Sequence, residues 1–115
     1  MPGSKSPAMP VISLLTDFGL TDPYVGVMKG VIASVCPEAS IIDISHDVAP
    51  QDVYQAAFIL AAACGFFPDN SVHVVVVDPG VGSSRGIVAV RTSGGVFVAP
   101  DNGVLSLVLD DADSA

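Results

Sequence analysis

The chain has 115 residues, 50% of them hydrophobic, enough for one domain with its own core. Twelve acidic residues against Lys5, Lys29, Arg85 and Arg91 give a net charge of -8, which excludes the basic footprint of a nucleic-acid binder and chiefly favours solubility. No apolar run reaches the length of a membrane span, and Met1 to Pro10, rich in Ser, Pro and Gly, reads as a flexible leader without the apolar stretch of a secretory signal.

Val11 to Thr16 is apolar and β-prone, which predicts a strand ending in Asp17-Phe18-Gly19. Asp22 is placed to cap a helix and Pro23 to open it, with apolar residues at helical spacing from Tyr24 to Val35 and a stop at Pro37. Ile41 to Ser45 predicts a second strand leading to His46. Pro50-Gln51-Asp52 opens an Ala-rich helix that runs through about Cys64 and is closed by Gly65 and Pro68. Val72 to Val77 is the third strand, and its run of consecutive valines predicts burial on both faces, with His73 at its start facing solvent or packing at an edge. Ile87 to Arg91 and Val96 to Ala99 are the fourth and fifth strands, joined by a turn at Ser93-Gly94-Gly95. Val104 to Leu109 closes the chain as a short helix before the acidic residues 110–115. This order implies an α/β fold over residues 11–115, a three-layer sandwich with a mostly parallel sheet and an antiparallel edge hairpin. Cys36 and Cys64, without a CxxC partner, read as buried thiols of a reducing compartment.

The richest segment is Val77-Asp78-Pro79-Gly80-Val81-Gly82-Ser83-Ser84-Arg85-Gly86. It sets Asp78 at the carboxyl end of a strand, where open α/β sheets place their ligands. Gly80, Gly82 and Gly86 come close to a dinucleotide fingerprint, but the third glycine is one residue late and a strand follows where a helix is needed. Arg85 can hold Asp78 ionised while both orient a water, or the pair can be a salt bridge that braces a glycine loop. Asp17, also at a strand end, can accept hydrogen bonds from a vicinal diol or cap the turn before the helix. The Asp-Phe-Gly triplet has no kinase context upstream. His46 reads as a loop hydrogen-bonder, and without a second histidine at ligand spacing or a cysteine pair no metal is expected. No G-x-S-x-G elbow supports covalent catalysis.

Leu15-Thr16-Asp17-Phe18-Gly19, Tyr24-Val25-Gly26, Met28-Lys29-Gly30, Asp43-Ile44-Ser45-His46, Pro50-Gln51-Asp52-Val53, Val77-Asp78-Pro79-Gly80-Val81-Gly82 with Arg85, and Ala99-Pro100-Asp101-Asn102-Gly103 occur in this order. Together, over Val11 to Leu109, they resemble the S-adenosyl-L-methionine (SAM) hydroxide adenosyltransferases, SAM hydrolases related to the fluorinase and chlorinase. The resemblance implies attack of water on ribose C5′ of SAM, giving adenosine and methionine without a cofactor. By the same resemblance Asp17 holds the ribose hydroxyls, and Asp78 and Arg85 are two members of a water-activating Asp-Arg-His triad. Asp22 and Tyr24 lie near the ribose or methionine end, and Asn102 close to the pocket. The halogenases begin the loop at Asp78 with tyrosine, and a carboxylate there disfavours an incoming halide. The family further implies a cytoplasmic homo-oligomer, a trimer with the pocket between subunits, a triad histidine beyond Ala115, and a carboxyl-terminal β domain. The chain therefore resembles the front part of such an enzyme. The alternatives are a non-catalytic SAM- or nucleoside-binding module or truncated fragment, and a SAM-dependent halogenase.

Overall fold

The computed structural model describes residues 10–77 and 86–109. Its elements are β1 (Val11–Thr16), α1 (Tyr24–Val35), β2 (Ser40–Ser45), α2 (Val53–Cys64), β3 (Val72–Val76), β4 (Ile87–Thr92) and β5 (Gly95–Pro100). They build one sheet of order β2-β1-β3-β5-β4, in which β4 alone runs antiparallel. Because β2 and β3 lie on opposite sides of β1, right-handed crossovers set α1 and α2 on opposite faces. The layered α/β arrangement is the expected one, and all four parallel strands end at the same edge. The leader, except Pro10, lies outside the described residues.

The principal core forms between the sheet and α2. Leu15, Val75, Val77, Phe97 and Ala99 meet Ala56, Ala57 and Leu60, and Val104, Leu105 and Val108 close the end. Burying a side chain such as Leu60, fully covered here, contributes about 1.5–3 kcal/mol. The layer over α1 is thinner. Val25 is its buried residue, while Val27 and Val31 each stay 59% exposed. Burial along β3 therefore alternates, with Val75 and Val77 buried and Val74 and Val76 half-buried, in place of the two covered faces expected from the valine run.

Other differences are local. Cys36 and Cys64 are half-buried thiols, not fully buried ones. The segment expected as a closing helix makes a single helical turn at 106–109. Gly95 belongs to β5 and leaves a two-residue turn at Ser93-Gly94. Its φ is +141°, and a Cβ there would stand 2.5 Å from the Ser71 carbonyl oxygen, so only glycine fits.

His73 departs most from expectation. β3 is interior to the sheet, between β1 and β5, so His73 is fully buried and neither solvent-facing nor at an edge. Its ring lies edge-on to Phe67 at 5.2 Å and stacks on Phe97 at 4.9 Å, with Nδ1 2.7 Å from Ser13 Oγ. Burial lowers its pKa from the ordinary 6.5. The unfolded chain thus takes up a proton that the native chain refuses. Stability is complete above pH 6.5 and falls as the pH drops below that value toward the native pKa. The slope approaches about 1.4 kcal/mol per pH unit. Urea midpoints between pH 7.5 and 5 should fall more steeply for the wild type than for His73→Gln; parallel curves would refute the assignment.

Candidate functional site

In the order β2-β1-β3 the two neighbours of β1 lie on opposite sides of it, so the carboxyl end of β1 is the kind of switch point where open α/β sheets place their ligands. Asp17 stands there, half-buried, immediately after β1. It does not cap the following turn. Its Oδ2 accepts the Gln51 N–H at 2.7 Å, across to the loop before α2. Gln51 has φ +62°, in the left-handed region unusual for a residue with a Cβ. Such strain costs about 1–3 kcal/mol and persists where surrounding contacts enforce it. Here the charge-assisted bond to Asp17 helps do so. Gly19, at φ +69°, ties the same two loops by donating its N–H to the His46 carbonyl at 2.7 Å. Among the described residues Asp17 Oδ1 takes no protein hydrogen bond, so that oxygen is left to accept from a ligand.

A polar chain, buried at Thr16 and His46 and open to solvent at Asp43 and Lys29, lies beneath this loop. Thr16 Oγ1 and His46 Nδ1 are 2.7 Å apart, and both residues are buried. His46 Nε2 approaches Asp43 Oδ1 at 2.9 Å, and Lys29 Nζ reaches Asp43 Oδ2 at 2.7 Å. The His46–Asp43 approach is short but poorly aligned for a hydrogen bond, leaving Nε2 without a well-formed partner. We treat it as an electrostatic contact. A register shift makes it possible. Leu14 pairs with Asp43 and Leu15 with Ser45, so Ile44 is an extra residue in β2 and the end of the strand is re-aimed. Desolvation raises the Asp43 pKa, but the Lys29 ammonium hydrogen-bonded to it and the close His46 ring outweigh that effect and hold the carboxyl below its ordinary 3.8. His46 is thus a hydrogen-bonder of the interior, not of an open loop.

Asp22 is exposed and does not cap α1. Pro23 occupies the cap position without a side-chain bond, and its carbonyl accepts the Val27 N–H at 2.9 Å. Tyr24 is largely exposed, its ring 5.7 Å from that of Phe18, against the Asp17 loop. Asn102 is turned inward: Nδ2 donates to the Val77 carbonyl at 2.8 Å and Oδ1 accepts the Val104 N–H at 3.1 Å. It braces the end of β3, and it also lines a cavity of about 370 Å³ with Val53, Tyr54, Ala57, Gly103, Ser106 and Leu107. Asn102→Ala leaves two backbone groups unpaired and should cost about 2 kcal/mol, read as a lower urea midpoint. Asp78 and Arg85 lie outside the described residues. Thr16 and Gln51 stand inside two of the motifs, but nothing in the sequence assigned either a role. Among the described residues no three His, Cys, Asp or Glu side chains gather as a metal site would require, and no helix is long and apolar enough to cross a membrane.

The model of the SAM hydroxide adenosyltransferase N-terminal domain matches residues 12–115. An (R)-S-adenosyl-L-methionine hydrolase of Methanocaldococcus jannaschii is 44% identical over 105 residues, 87% of this chain and 40% of the relative. A fluorinase of an Actinoplanes species is 29% identical, covering 89% of this chain and 42% of the relative. The crystal structure of an uncharacterized conserved protein from Thermotoga maritima is 49% identical with a TM-score of 0.83, over 88% of this chain and 39% of that one. The chain thus spans about two fifths of the length of the curated relatives it matches.

Proposed function

The chain belongs to the SAM hydroxide adenosyltransferase N-terminal domain family, and from that premise we propose that it supplies the α/β part of a site that hydrolyses SAM to adenosine and methionine. The observation that carries the reading is Asp17, fixed at the switch point through one carboxylate oxygen while the other is left to accept. A rigid carboxylate with one spare oxygen suits the vicinal hydroxyls of ribose. In the reaction the water oxygen bonds to C5′ as the C5′–S bond breaks in line. The sulfonium leaves as a neutral thioether, so no general acid is needed. The proton lost by water passes to Asp78, which Arg85 keeps ionised and the family's histidine completes as a triad. Tyr24 and Asp22 bound the ribose or methionine end, and Asn102 holds the strand that leads to Asp78. SAM is the substrate and no cofactor enters. The working form is a cytoplasmic homo-oligomer, a trimer, in which a neighbouring β domain closes the pocket.

The fluorinase relative favours halide as a second nucleophile. Asp78 opposes it, because like charge and desolvation both disfavour an anion beside a carboxylate. Incubating the chain together with the family's carboxyl-terminal β domain and SAM, and separating the products, tests both readings. Adenosine and methionine in equal amounts are expected. In added chloride, 5′-chloro-5′-deoxyadenosine would support halogenation. Heat of SAM binding without product would support the non-catalytic module, and neither heat nor product would refute the reading.

A further inference from the structure

We propose that Lys29, Asp43, His46 and Thr16 form a positioning relay that holds the Asp17-Phe18-Gly19 loop, and with it the accepting carboxylate, in its binding geometry. The inference rests on the reading of Asp17 as the diol acceptor and extends it to residues that touch no substrate. The relay starts on α1, crosses β2 and ends under the last residue of β1. Lys29 Nζ and Asp43 Oδ2 are 2.7 Å apart, Asp43 Oδ1 and His46 Nε2 2.9 Å, and His46 Nδ1 and Thr16 Oγ1 2.7 Å.

The proton positions follow from what each group can do. Nε2 faces the Asp43 carboxylate at 2.9 Å without a well-formed hydrogen bond, and because an ionised carboxylate can only accept, the ring proton belongs on Nε2 and Nδ1 is left bare. Nδ1 then accepts the Thr16 hydroxyl proton. Thr16 Oγ1 in turn accepts the Phe18 N–H at 3.2 Å. The Thr16–His46 pair therefore has one orientation, favoured by the Asp43 carboxylate that Lys29 holds from α1. The loop is also gripped from His46 itself, whose carbonyl accepts the Gly19 N–H at 2.7 Å. Asp17 lies between the buried Thr16 and the two gripped residues, Phe18 and Gly19, and its Oδ2 accepts the Gln51 N–H at 2.7 Å. Thr16 is fully buried and His46 nearly so. Both ring and hydroxyl are turned to interior partners, which is the setting of a positioning role.

Thr16→Val in the full chain removes the hydroxyl at nearly constant volume, and Thr16→Ser restores it. Amide exchange of Gly19 and Gln51, followed by NMR, should accelerate about tenfold or more in Thr16→Val while the β5 amides keep their rates. Adenosine should lose a similar factor of its preference over 2′,3′-dideoxyadenosine, and Thr16→Ser should recover both. Imidazole nitrogen shifts should place the His46 proton on Nε2. Unchanged exchange at Gly19 and Gln51, a proton on Nδ1, or failure of serine to rescue would overturn the relay. If Thr16→Val does not fold, Asp43→Asn takes its place, with faster exchange at the same two amides expected and unchanged exchange again overturning it. Should the wild type bind both nucleosides equally, the diol reading of Asp17 fails while the exchange rates still decide the relay.

Discussion

Asp78→Ala should lower adenosine release from SAM by about 10²–10⁴-fold, the range for loss of a general base, with the melting temperature changed little. Departure of a neutral thioether needs no protonation, so the difficulty lies with the nucleophile, a water that must shed a proton as it bonds to C5′. Asp78 directly follows Val77, whose carbonyl is held by Asn102, so the backbone at the entry to its loop is fixed. Asp78→Asn separates orientation from proton acceptance, because the amide keeps the shape and loses the basicity. A loss equal to that of alanine means the carboxylate takes the proton; partial retention means it mainly orients the water. Initial rates at saturating SAM, followed chromatographically, give both values. Full activity in Asp78→Ala would remove the residue from the mechanism.

Most of the scaffold was legible because it is written in local patterns. β1 and α1 begin and end where hydrophobic periodicity and the prolines put them, and the hairpin follows from a glycine pair between β-branched runs. The place of Asp17 was legible because a strand's carboxyl end is a position that sequence can locate. What was not legible depends on pairing between distant segments. His73 looks like an edge residue when only its own strand is read, yet β5 closes over it from more than twenty residues downstream. The approach of His46 to Asp43 requires the extra residue at Ile44, a register shift that no alternation of residue types announces. Asn102 is placed close to the pocket by resemblance alone, and its inward bonds appear only once β3 and β5 are adjacent. Asp22 fits the statistics of a helix cap, but the cap position falls one residue later, on Pro23.

Asp17→Ala should weaken adenosine binding by between about tenfold and a hundredfold, the range of hydrogen bonds to a charged group. Two losses contribute and can be separated. The first is direct, since the diol loses the accepting oxygen. The second is structural, since the Gln51 N–H loses its acceptor and the left-handed Gln51 is freed to relax, which would loosen the loop before α2. The ligand 2′,3′-dideoxyadenosine distinguishes them, because it cannot register the direct term. The wild type should bind it more weakly than adenosine by the direct part of the factor lost on mutation, while Asp17→Ala should bind both alike. That is the signature of a coupled pair in a double-mutant cycle. Asp17→Asn should fall between, because its amide oxygen can keep the Gln51 bond while the charge is gone. Calorimetric titration of both nucleosides into the three proteins measures all of these terms. If Asp17→Ala weakens both nucleosides by the same factor, the carboxylate shapes the loop and the diol is recognised elsewhere.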